Sequence, residues 1–129
     1  MIKILVLINR NPRLSVQEFR DYYENNHANF MNELKSVVKD YRRNYANVEG
    51  TKLVNTFHQP TFAASGLDVP FCDVVTELWL EDLNALRELY RILGETQVGA
   101  QIKDDEDSFL DKASLRVMVC DEVITDLRR

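Results

Sequence analysis

His27 lies in "DYYENNHANF" (Asp21–Phe30) and is one of two histidines in the chain. Histidine is the side chain that changes charge near neutrality without help from its surroundings, which suits it to moving a proton. Val16, Phe19, Tyr23, His27, Phe30 and Leu34 follow one another at steps of three or four. On a helix, or on two nearly collinear helices, they form a single stripe. The imidazole thus occupies a place where the pattern calls for an apolar residue, with Tyr23 and Glu24 one helical turn before it. Two readings fit: a histidine at the core edge satisfied by a hydrogen bond, or an acid–base or substrate-binding group.

In "FCDVVTELWL" (Phe71–Leu80), Asp73, Val75, Glu77 and Trp79 share one strand face, and Cys72, Val74, Thr76, Leu78 and Leu80 the other. A cavity closed over the first set would desolvate Asp73 and Glu77, raise their pKa and make either usable as an acid or base, with Trp79 beside the ligand. The plainer alternatives are a Glu77 carboxylate reaching water and an Asp73 carboxylate bonded to backbone. Tyr41, Arg43 and Tyr45 alternate in "YRRNY". Facing inward they would offer phenols and a cation to a phenolic or carboxylate ligand; facing outward they would make an aromatic edge. His58, in "NTFHQP", enters the chemistry if its segment closes over the cavity toward His27. There is no Gly-rich phosphate loop, no G-x-S-x-G elbow, and no HxH, HExxH or Cys/His spacing. The spacing therefore predicts no metal site.

Four strand-like segments must position these groups: Ile2–Ile8, Lys39–Val48, Phe71–Leu80 and Ser114–Glu122. A helix opens at Ser15 and Glu18, an S-x-x-E capping box before an apolar run. A second helix carries Leu83, Leu86, Tyr90 and Leu93 at helical spacing, with Gly94 as its stop. The order is β-α-β-β-α-β, a ferredoxin-like α+β protomer with an antiparallel sheet, filling residues 1–129 as one domain. Gly50–Pro70 reads as a long loop or flap, and the acidic Glu95–Asp111 as cover for a sheet edge. A sheet with helices on one face should be polar on the other, yet the first and last strands are apolar on both parities. A second copy of the sheet would cover that open face, giving a homodimer whose two open faces enclose a cavity.

Composition narrows the function classes. Apolar residues make up 45% and charged residues 29%, a globular balance with no sign of disorder. The net charge is −5 and the basic residues are scattered, which argues against nucleic acid as a partner. No apolar run approaches the roughly 20 residues of a membrane-spanning helix. "MIKILVLINR" reads as a strand rather than a signal peptide. Cys72 and Cys120 read as buried thiols of a reducing, cytoplasmic protein.

"MIKILVLINRNPRLSVQEFRDYYENNHANF" resembles the opening of EthD-type proteins in the dimeric α/β-barrel superfamily: a strand, a basic-x-Pro-x-Leu-Ser turn, and a helix with Phe, an aromatic pair and His. "FCDVVTELWLEDLNAL" is similar to their D-x-x-x-E-x-W/Y-F strand with its helix, and "DEDSFLDKASLRVMVCDE" to their ending. The resemblance covers nearly the whole chain apart from Gly50–Pro70. It implies a homodimer with a cavity between helices and sheet. It matches His27 to the family's histidine and Asp73 to the aspartate opening the third strand, and Tyr23 stands where tryptophan is common. Because some relatives are cofactor-independent decarboxylases encoded beside fungal polyketide synthases, it implies a cofactor-free lyase for an aromatic polyketide-type acid. His27 would be the acid–base group, oriented by Asp73, with Tyr41, Tyr45 or His58 holding substrate oxygens. Cyclisation, dehydration, isomerisation, cofactor-free oxygenation, or non-catalytic binding of an aromatic ligand are the alternatives that the resemblance leaves open.

Overall fold

The computed structural model describes residues 1–58 and 70–128, the side chain of His58 excepted. Strands β1 (Ile2–Ile8), β2 (Asp40–Tyr45), β3 (Val74–Leu80) and β4 (Arg116–Cys120) form one sheet in the order β2-β3-β1-β4, with every neighbouring pair antiparallel. Helix α1 (Val16–Asn25) and a 3₁₀ helix (His27–Glu33) follow β1, and α2 (Val48–His58) follows β2. Helices α3 (Leu83–Glu95) and α4 (Gln97–Phe109) both run between β3 and β4. The predicted ferredoxin-like α+β order is present, with α2 and α4 as additions to it. Among the described residues no helix is long and apolar enough to cross a membrane.

Strand register sorts the side chains onto two faces. Ile4, Val6 and Ile8 of β1 lie opposite Leu78, Thr76 and Val74 of β3 and pack toward the helices. Lys3, Leu5 and Leu7 share the other face with Trp79, Glu77 and Val75. In β2, Tyr41, Arg43 and Tyr45 pair with Leu78, Thr76 and Val74, so the aromatic alternation faces inward.

The first helix begins where the sequence marks it. Ser15 Oγ accepts from the Glu18 amide at 3.0 Å, and the Glu18 carboxylate accepts from the Ser15 amide at 2.9 Å. The chain then tightens into the 3₁₀ helix, where side chains at i and i+3 eclipse. His27 and Phe30 therefore sit one above the other, ring centroids 5.9 Å apart. The stripe survives this change of winding. Phe19, Tyr23 and Leu34 are buried, whereas Val16, on the first helical residue, is exposed.

Two segments differ from the sequence reading. The first part of the expected flap is α2, because Asn47 caps it: its side chain accepts from the Gly50 amide at 2.8 Å, so Gly50 lies in the first turn and the helix runs on to His58. Residues 59–69 and the His58 side chain, the rest of that expectation, lie outside the described residues. The acidic segment is α4, and it is part of the core rather than edge cover, with Ile102 and Phe109 buried. Helix α3 passes through Gly94 to Glu95 and turns directly into α4 at Thr96. Thr96 caps both ends: its N–H and Oγ donate to the Ile92 carbonyl, and its Oγ accepts from the Gly99 amide. The corner is tight enough that a Cβ on Gly99 would lie 2.3 Å from the Leu93 carbonyl oxygen.

The core falls into two groups. One gathers Ile4, Leu34, Leu80, Leu89 and Ile102, and the other gathers Ile8, Phe19, Tyr23, Val74 and Phe109. The candidate site opens at the seam between them.

Candidate active site

A cavity of about 130 Å³ lies between the helix-facing side of the sheet and the helices. Both core groups line it, through Ile8, Tyr23 and Leu110 on one side and Leu34, Leu89 and Ile102 on the other. Protein interiors hold few voids larger than a water molecule, so a void of this size in a small core needs a reason. Its volume is close to the roughly 150 Å³ of an apolar cavity that takes up benzene. The wall is mostly aliphatic, with a few polar groups from separate elements: Tyr23 (α1), His27 (the 3₁₀ helix), Tyr41 (β2), Thr76 (β3) and Glu106 (α4).

His27 is fixed on one side by α4. Its Nδ1 lies 2.8 Å from Asp105 Oδ2, and the other carboxylate oxygen of Asp105 accepts from the Tyr22 hydroxyl at 2.5 Å. Phe109, one turn beyond Asp105, sits 4.8 Å from the imidazole and also packs on Phe19, Tyr22 and Tyr23. Burial lowers the His27 pKa below its ordinary value, opposed by the Asp105 carboxylate, which raises it. The neutral ring is therefore favoured, and because an ionised carboxylate only accepts, its proton belongs on Nδ1. Nε2 then carries the lone pair and has no hydrogen-bond partner among the described residues.

Beside the imidazole, starting at Tyr23 whose ring lies 5.4 Å from it, runs a chain of hydroxyls. Tyr41 donates to the Tyr23 oxygen at 3.1 Å, and Tyr23 and Thr76 share a hydrogen bond of 2.7 Å. Burial raises the pKa of both tyrosines, so they are neutral phenols, and a ligand oxygen would accept a proton that this chain now shares internally. Behind them, Glu24 accepts from Arg43 and Tyr45 and locks this edge of β2 onto α1. Glu106, next to Asp105, lines the cavity and makes no hydrogen bond or ion pair through its carboxyl among the described residues. Burial raises its pKa.

The structure thus gathers some of the sequence candidates and disperses others. His27, Tyr23 and Tyr41 share the cavity, and Tyr45 stands behind it against Tyr23. Asp73 does not orient His27. At the far end of the sheet, its two oxygens accept from the Arg10 amide at 2.8 Å and the Arg10 guanidinium at 2.9 Å, clamping the turn between β1 and α1. The carboxylate against His27 is Asp105. Glu77 and Trp79 point to the helix-free face, because their parity is that of Lys3. There Lys3 bridges Glu77 and Glu122 and lies over the Trp79 ring. The Glu77 pKa is consequently lowered, first by Lys3 and then by Asn44, not raised as the sequence reading supposed. Cys72 and Cys120 are free thiols. Among the described residues no group of three or more His, Cys, Asp or Glu side chains is arranged to hold a metal ion.

Asp105, Glu106 and Tyr22 are missing from the sequence candidates. Their signal was the spacing Val98, Ile102, Phe109 after the Thr96 cap, a helical period that turns Asp105 toward α1.

Comparison with known proteins agrees with this architecture. No curated protein matches the chain. An ethyl tert-butyl ether d (EthD) family protein from Bacillus halodurans superposes with a TM-score of 0.61 at 18% identity, covering 95% of this chain and 99% of its own. A protein from Arabidopsis thaliana gives a TM-score of 0.63 at 12% identity, with 98% and 100% covered. A dimeric ferredoxin-like protein of unknown function from Thermobifida fusca gives 0.51 at 12% identity, with 92% and 88% covered. At these identities the likeness is one of fold. The EthD domain itself matches residues 11–113, from the turn before α1 through the 3₁₀ turn before β4, and the chain belongs to the EthD family.

Proposed function

We propose that the chain is a cofactor-independent lyase that decarboxylates an aromatic, polyketide-type acid carrying an ortho-hydroxyl or β-keto group. The observation that carries this reading is the His27–Asp105 pair in the wall of a mostly apolar cavity, with Nε2 left as a base. Such a reaction raises electron density at the carbon that bears the carboxylate. His27 Nε2 would take the ortho-hydroxyl proton, and Asp105 would hold the tautomer and balance the imidazolium that forms. The Tyr41–Tyr23–Thr76 chain would hold the phenol or carbonyl oxygen. The dimensions of the cavity favour one aromatic ring as the portion of the substrate enclosed. A second copy of the chain, covering the apolar helix-free face of the sheet, completes the proposed assembly.

The test is carbon dioxide release from a panel of single-ring hydroxy-aromatic and β-keto acids, with His27→Ala as the comparison. Loss of about 10²–10⁴-fold in rate, with fold intact, is the expected result. Unchanged turnover in a folded H27A protein would remove His27 from the mechanism. Tight binding of these acids with no carbon dioxide from any of them would favour a carrier of aromatic ligands over a lyase.

A further inference from the structure

One half-buried ionisable group of the cavity has no part in that mechanism. Asp105 and Glu106 are consecutive on α4, so their side chains diverge by about 100° around the helix axis. Asp105 turns to His27 and Tyr22, and Glu106 lines the cavity. A partnerless carboxylate beside an apolar void is costly, because nothing compensates the water it has lost. Its charged neighbours are Lys103, Asp105 and Asp107 on its own helix and Lys112 on the 3₁₀ turn that follows, with Lys112 paired to Asp107. From the other elements the cavity wall presents His27 and the neutral phenols Tyr23 and Tyr41; β1, β3 and α3 contribute no charged side chain to it. Among the described residues nothing bonded to Glu106 therefore holds it ionised.

We propose that Glu106 is the proton-bearing group of this cavity: a carboxyl that takes up a proton as the carboxylate-bearing end of the ligand enters, meets that end as a neutral acid, and supplies the proton that replaces carbon dioxide. The second half of this assignment rests on the decarboxylase reading; the first does not. In the reaction, the Glu106 O–H bond breaks and a C–H bond forms at the ring carbon bearing the carboxylate. The bond from that carbon to the carboxylate then breaks, its electron pair restores the aromatic ring, and carbon dioxide departs. Glu106, left ionised, takes a proton from water, and the hydroxyl proton held by His27 returns to the product. No electrons enter or leave.

Binding is tested apart from turnover with salicylate, a single-ring ortho-hydroxy acid, by calorimetry in two buffers of different ionisation enthalpy at pH 7. Wild type should take up close to one proton per salicylate bound, because two carboxylates do not share an apolar cavity. Glu106→Gln should lose that uptake, and His27→Gln should keep it. Carbon dioxide release from an accepted acid should fall about 10²-fold or more in E106Q. Proton uptake unchanged in E106Q, or full turnover by it, overturns the assignment. Lost uptake in E106Q, with no carbon dioxide from either protein on any acid, overturns the decarboxylase reading and upholds Glu106 as the proton-linked binding group. If E106Q fails to fold, wild type alone decides: binding without proton uptake overturns the proposal.

Discussion

The residue scale turns on which carboxylate accompanies His27. Both Asp73 and Asp105 are aspartates on elements next to the site, and the sequence favoured the one whose strand parity could be counted. Parity assigned Asp73 to a face, but the end of β3 lies beside the β1–α1 turn, where Arg10 takes both its oxygens. Asp105 is 78 residues from His27 in an acidic run, and no local pattern links the two. His27 was legible because it broke an apolar stripe; its partner was not, because tertiary packing alone makes the pair. Asp105→Asn tests the pair. Removing the carboxylate takes away the effect that raises the His27 pKa and leaves the burial that lowers it. A histidine with a lowered pKa contributes stability that is full above its unfolded value of 6.5 and lost as pH falls below it. D105N should therefore lose more stability than wild type between pH 7 and pH 5, read by urea unfolding at each pH. Its activity should fall by about 10²-fold or more, since an amide can hold either tautomer. Identical imidazole ¹⁵N shifts in wild type and D105N would show that Asp105 does not set the tautomer.

At the scale of elements, the strands and α1 were readable because their signals are local: a capping box, alternation, and a stripe at steps of three and four. The short α2 was hidden by its glycine, which an Asn cap places harmlessly in the first turn. Helix α4 was hidden by composition. Its acidic run is split, with Asp104 and Asp107 exposed and Asp105 and Glu106 turned inward, and the few apolar residues that face the core are spread over three turns. What ties α4 to α3 is Gly99. In an open helix Gly→Ala is favourable by about 1 kcal/mol. At position 99 the added Cβ meets backbone atoms of Ile92 and Leu93 at 2.3–2.5 Å, which no rotamer change relieves. Overpacking of this kind costs about 1–3 kcal/mol, so the clash outweighs the propensity gain. Gly99→Ala should lower the urea midpoint and shift the His27 ring signals, since the same corner sets where Asp105 stands. An unchanged or raised midpoint would mean that the corner opens without loss.

For the whole molecule, the cavity and the apolar outer face are separate features. The sheet's apolar pattern argued that one side is not left in water and placed a cavity there, between two open faces, whereas the EthD resemblance implied one between helices and sheet. The described cavity is on the helix side. The outer face still carries Leu5, Leu7, Val75 and Trp79, and the Trp79 Nε1 is buried with no hydrogen-bond partner among the described residues. β4 is exposed on both faces: Met118 at 55% beside Leu5, and Val117 and Val119 at 46% and 48% on the side of the helices. An edge strand bare on both sides is what a covering partner protects, and a second copy of the same face is self-complementary. Met118→Glu puts a charge on the edge strand of that surface, opposite Leu5 and on the face that already holds Glu77. A wild-type dimer with a standard interface of about 1,200–2,000 Å² should sediment as two copies at micromolar concentration, and M118E as one. Because Met118 is exposed in the single chain, the variant should keep its fold, so circular dichroism separates dissociation from unfolding. A wild type that sediments as one copy, or an M118E protein that still sediments as two, would leave the outer face for some other surface to cover. In either case the His27 cavity, built entirely within one protomer, should bind salicylate as before.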